Sequence, residues 1–138
     1  MATVIREIAV DAPAAPCWDA LRDFGALHER LVTGFVTNSV LVAPAEREVT
    51  FCTGAVAREQ LVGADDATMR LAYTVVEGPM GSTHHNASAQ IVAAGPRQCR
   101  IVWITDVLPD ELADRTAGLM EAGLQAMKSR LEGATAPA

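Results

Sequence analysis

Glu59, Tyr73 and His85 are the residues of this chain whose types and positions suggest chemistry, because each falls on the apolar phase of an alternating segment. In Ala57-Arg58-Glu59-Gln60-Leu61, Glu59 shares phase with Ala57 and Leu61; in Leu71-Ala72-Tyr73-Thr74-Val75, Tyr73 shares phase with Leu71 and Val75. His85 falls with Ala87, Ala89 and Ile91, opposite Asn86, Ser88 and Gln90. A carboxylate, a phenol and an imidazole are therefore expected to face one interior. There an unpartnered polar group costs about 1–3 kcal/mol, so each needs a partner, a water or a ligand. Glu59 orienting or ionising His85 would make a general acid/base for proton removal, enolisation or loss of water, with Tyr73 donating to a developing oxyanion. The structural alternative pairs Glu59 with Arg58, Arg70 or a backbone group and leaves His85 as a buried histidine. A one-residue bulge would flip these assignments.

Other chemistries find less support. His84 and His85 are adjacent on a strand and point to opposite faces, so they do not chelate one ion together; no metal and no cofactor is expected. Cys17, Cys52 and Cys99 are odd in number and widely spaced, which argues against a disulfide framework or zinc knuckle, and all three read as buried structural thiols. Seventeen acids against eleven bases give a net charge of −6, and the arginines are scattered singly, which disfavours nucleic acid as a partner. The apolar stretches are far shorter than the roughly 20 residues that span a bilayer. The N-terminus has no basic head followed by an apolar core, so a cytoplasmic protein without membrane insertion is expected.

The elements that must position these residues follow from the pattern. Half of the 138 residues are hydrophobic and a fifth are charged, which suits one globular domain, placed at residues 1–132, with a frayed tail at 133–138. A first strand over Thr3–Val10 is followed by a helix that opens on Pro13 and Pro16 and carries Cys17 and Trp18, then a second short helix across Phe24–Leu31. Six strands are predicted at Phe35–Val42, Arg47–Thr53, Ala55–Val62, Thr68–Val76, His84–Ala93 and Cys99–Leu108. Pro44, Gly54, Gly63, Gly78-Pro79 and Gly95-Pro96 mark turns of an antiparallel meander. From Asp110 the period becomes helical, with Leu112, Thr116, Leu119, Met120, Gly123, Met127 and Leu131 on one stripe of a helix of about six turns. On the last strand Trp103 shares phase with Ile101, Thr105 and Val107. It either fills the core or stacks on a flat ligand, while Val102 and Ile104 on the other face raise a homodimer as a possibility. The Gly78–Ser82 loop reads as a lid or cavity rim, or as an ordinary hairpin turn.

This order of elements, with Ile8-Ala9-Val10-Asp11-Ala12-Pro13, Cys17-Trp18-Asp19-Ala20-Leu21-Arg22-Asp23-Phe24-Gly25 and Val102-Trp103-Ile104-Thr105-Asp106, resembles the START-like or Bet v 1-like (SRPBCC) superfamily, and within it the bacterial polyketide cyclase/dehydrase-like branch. The resemblance implies an α+β helix-grip fold. Its seven-stranded antiparallel sheet wraps around a long C-terminal helix, with two short helices between strands 1 and 2 and a hydrophobic cavity inside. Members bind lipids, sterols, hormones or polyketides, and some catalyse cyclisation or dehydration. Many relatives carry a tryptophan and a proline in the second helix where this chain has Leu27-His28-Glu29-Arg30, so no role of that tryptophan carries over. The expectation is a domain that binds a small hydrophobic or aromatic molecule through Phe51, Leu61, Met80, Ile101, Trp103, Thr105, Met120 and Met127. The alternatives are a cyclase- or dehydratase-type enzyme using His85, Glu59 and Tyr73, and an interaction module whose cavity is filled by side chains.

Overall fold

The computed structural model describes residues 1–135. Seven strands, β1 (Ala2–Val10), β2 (Val36–Ala43), β3 (Glu46–Phe51), β4 (Val56–Asp65), β5 (Arg70–Glu77), β6 (His84–Ala93) and β7 (Cys99–Leu108), form one antiparallel sheet in the order β1-β7-β6-β5-β4-β3-β2. Helices α1 (Ala14–Arg22) and α2 (Leu27–Arg30) fill the crossover from β1 to β2, and α3 (Ala113–Thr135) closes the chain. This is the α+β helix-grip architecture that the resemblance implies, with the order of elements that the sequence pattern predicts. Among the described residues, no helix is long and apolar enough to cross a membrane.

Four local features differ from the sequence expectation. The segment after α1 is a 3-10 turn at Phe24–Ala26 followed by one turn of α-helix, because Gly25 sits against Leu41 of β2 and α2 ends on Leu31. Gly63 is not a turn residue: β4 runs through it to Asp65 with a register shift between Leu61 and Gly63. The turn comes later, where Asp65 accepts from the Ala67 N–H and the Thr68 hydroxyl and Met69 adopts φ 52°. On α3 the buried stripe is Thr116, Met120, Leu124, Met127 and Leu131; Leu119 is 40% exposed, since it lies on the flank of a stripe that Leu124 continues. The helix also continues to Thr135, past the start of the expected tail, whose residues 136–138 lie outside those described.

Packing explains why this interior is not solid. α3 lies chiefly along β1 and also touches β7, α1 rests on β6, and α2 rests on β2. The helix approaches the sheet closely at Gly123, where a Cβ would stand 2.9 Å from the Trp103 ring. Over β3 to β6 the inward positions include Val49, Ala57 and Ala89, side chains too short to reach α3. A gap of about 220 Å³ is left there, bounded by sheet, helix and the Gly78–Ser82 segment.

Candidate ligand-binding site

The cavity wall is built around two charged residues that are almost fully withdrawn from water. Arg47 on β3 stands directly opposite Glu59 on β4, and both point inward at 4% and 6% exposure. Arg47 Nε donates to Glu59 Oε1 at 2.8 Å, Nη2 lies 2.7 Å from the same oxygen, and Nη1 donates to the Phe24 carbonyl at 3.2 Å. The guanidinium also lies 3.9 Å from the Phe24 ring centroid and 5.4 Å from that of Tyr73. A planar cation between aromatic faces with each of its nitrogens engaged is how arginine tolerates burial. Glu59 is thus paired, but with Arg47 rather than Arg58 or Arg70; Arg58 instead meets Glu46 and Glu77. The signal was present in the sequence: Arg47 shares phase with Val49 and Phe51, so the strand that carries it must turn a cation inward.

Tyr73 is buried beside the pair, and its hydroxyl makes no hydrogen bond among the described residues. Burial raises its pKa well above the ordinary phenol value, helped by the negative charge of Glu59 and opposed by Arg47 and the nearby Trp103 indole. That indole N–H approaches the phenol but falls short of hydrogen-bond geometry, which leaves a buried donor without an acceptor. His85 is half-buried on the same wall. Burial lowers its pKa, the charge of Glu59 partly offsets this, and His84 adds to the lowering. No hydrogen bond joins Glu59 to His85 among the described residues. β5 runs between their strands, and two strand spacings of ~4.8 Å separate the backbones.

Of the residues predicted to contact a ligand, Phe51, Met80, Trp103, Thr105, Met120 and Met127 line the cavity together with Glu59, Tyr73 and His85. Leu61 and Ile101 do not. Ile101 is fully buried where β7 runs between β1 and β6, opposite Ile8 and Ile91, and Leu61 packs against the main core beside the β4 bulge. Gly78, Pro79, Met80 and Ser82 form part of the rim, and the Thr116 hydroxyl lies 3.9 Å from the Met80 sulfur. Cys52 corrects the expectation of three buried thiols: it follows the end of β3 in a turn and is exposed. Cys17 and Cys99 are buried, and burial, reinforced by neighbouring Cys99, pushes the Cys17 thiol up to about 12, far from a reactive thiolate. No group of three or more metal-ligating side chains occurs among the described residues.

A curved sheet gripping a C-terminal helix around a largely apolar cavity defines the class, and comparison with known proteins agrees. Residues 1–132 match the family "Polyketide cyclase / dehydrase and lipid transport", and the chain belongs to that family. No curated relative matches the sequence. Among solved structures, a Thermobifida fusca protein is 29% identical over 98% of this chain and 96% of its own, with a TM-score of 0.78. Norcoclaurine synthase from Thalictrum flavum, solved with dopamine and hydroxybenzaldehyde, is 19% identical, covering 99% of this chain and 89% of its own (TM-score 0.75). The Zhui aromatase/cyclase from Streptomyces sp. R1128 is 16% identical, covering 95% and 93% (TM-score 0.74). These last two similarities concern the fold.

Two outcomes follow from the site's electrostatics. Arg47→Met strands the Glu59 carboxylate beneath the sheet and lowers unfolding free energy by about 3 kcal/mol in urea titration, whereas Arg47→Met with Glu59→Leu recovers most of that loss. Equal destabilisation by the single and double replacements would mean that the pair is not coupled. For His85 the folded pKa lies below the ordinary 6.5, so the unfolded chain binds the proton more readily and stability falls as pH drops below about 6.5. An NMR titration should place the His85 midpoint under 6.5; a midpoint above it would show that the charge of Glu59 outweighs burial.

Proposed function

We propose that the protein reversibly binds one small, largely apolar or aromatic molecule in the cavity between the sheet and α3. The family supports a ligand-binding or cyclase-type role in general terms. The observation that carries the narrower reading is the open interior: about 220 Å³, lined by Leu31, Val49, Phe51, Leu71, Met120 and Met127 with a few convergent polar groups. An interaction module with a filled cavity accords poorly with that volume. The thioethers of Met80, Met120 and Met127 suit a wall that adapts to ligand shape.

Acid/base catalysis is the second reading, and His85 is the observation in its favour. Its ring faces the cavity, burial favours the neutral form, and no hydrogen bond occupies it among the described residues. Glu59 is a poor partner for it, because Arg47 holds the carboxylate two strands away. In such a reaction His85 would act as the base without an orienting carboxylate, and Tyr73 would be the nearest donor for an oxyanion. A homodimer through Val102 and Ile104 is not needed by either reading.

The binding reading is tested with the neutral fluorophore 1-aminoanthracene. The wild-type protein should bind one equivalent, and Ala89→Leu, which extends a side chain from central β6 into the gap, should weaken binding at least about tenfold while the far-ultraviolet spectrum is unchanged. Unaltered affinity in a folded Ala89→Leu variant would place the fluorophore elsewhere.

A further inference from the structure

The Arg47–Glu59 pair sets the electrical character of the cavity, and with it the polar group that a ligand can carry. An isolated arginine on such a wall would select an anion. Here its nitrogens are engaged by Glu59 and by the Phe24 carbonyl. The carboxylate keeps spare capacity: both short contacts fall on Oε1, no other residue donates to Glu59 among the described residues, and a carboxylate offers about four acceptor sites. On the adjacent strand stands Tyr73, close enough to feel the charge of Glu59, with a hydroxyl that makes no hydrogen bond among the described residues. One charged acceptor and one neighbouring phenol donor therefore face an apolar chamber with valences unfilled. Buried groups in that condition discriminate strongly, since a ligand that fails to satisfy them leaves their desolvation cost uncompensated.

Resting on the binding reading above, we propose that the cavity selects a neutral apolar molecule bearing a hydroxyl group, with the hydroxyl donating to Glu59 and accepting from Tyr73, and that it rejects carboxylates. A hydroxyl is the smallest group that both donates and accepts. A carboxylate brings only acceptors and a second negative charge beside Glu59; Arg47 keeps two of its five N–H groups without a partner among the described residues, but its charge is already offset by Glu59. The exposed Arg115 at the cavity mouth offers such an anion little, because a solvated cation contributes about 0–1 kcal/mol. Glu59 and Tyr73 are accordingly the residues that determine specificity.

Displacement of 1-aminoanthracene by three probes of one shape tests this: 2-naphthol, 2-fluoronaphthalene and 2-naphthoate. Wild-type protein should bind 2-naphthol about tenfold more tightly than 2-fluoronaphthalene, as one hydrogen bond to a charged acceptor allows, and 2-naphthoate most weakly. Tyr73→Phe should shrink the naphthol preference severalfold with 2-fluoronaphthalene unaffected. Glu59→Gln, which leaves the charge of Arg47 uncompensated, should move the order toward 2-naphthoate. If Glu59→Gln does not fold, the wild-type order and Tyr73→Phe still decide. Wild-type binding of 2-naphthoate equal to that of 2-naphthol, or a naphthol preference untouched by Tyr73→Phe, would overturn the proposal while leaving cavity binding intact. Failure of all three probes and of 1-aminoanthracene to bind would overturn both.

Discussion

A guanidinium and a carboxylate that face each other across β3 and β4, both nearly sealed from solvent, constrain everything around them. Each would be costly alone in that position, so neither strand can slip in register without exposing or orphaning a charge. The pair fixes Phe24 through its carbonyl and its ring, and thereby ties the crossover segment after α1 to the sheet. It also keeps apolar side chains from filling the space above it, since closing that space would bury the remaining carboxylate valences without partners. The cavity and the ion pair are in this sense one feature: short residues at Ala57 and Ala89 create the gap, and the charges keep it worth occupying.

The strands carrying Glu59, Tyr73 and His85 are legible because period-two alternation assigns each side chain a face, and the bulge in β4 falls after Glu59, so its assignment survives. The long helix is legible from its stripe, but the edge of the stripe is not: Leu119 and Leu124 differ by little more than one turn, and the contact with the sheet decides which is covered. The turn at Asp65–Met69 was hidden behind Gly63, a glycine that serves a bulge. What the sequence pattern did not disclose was the partner of Glu59. Arg58 and Arg70 are near it in sequence or in type, while Arg47 is brought opposite by hairpin register, a relation that depends on the lengths of two strands and the turn between them.

That partner changes the chemistry. A carboxylate next to an imidazole suggests proton transfer, whereas a carboxylate clasped by arginine is a fixed hydrogen-bond acceptor. His85 then has no orienting carboxylate among the described residues, and the spare acceptor capacity of Glu59 is what the proposed binding of a hydroxyl would use. Similarity of fold to enzymes such as norcoclaurine synthase and the Zhui aromatase/cyclase is compatible with either use of the chamber, because reactions reside in sites and one fold hosts many.

Whether the chamber holds a small neutral molecule, as proposed, is read by native mass spectrometry of the protein purified from the cells that make it. The expected spectrum shows a bound population heavier than the chain by one small molecule, released on denaturation and recovered as a hydroxyl-bearing, uncharged compound of low polarity. A co-purified carboxylate or phosphate in that chamber would contradict it.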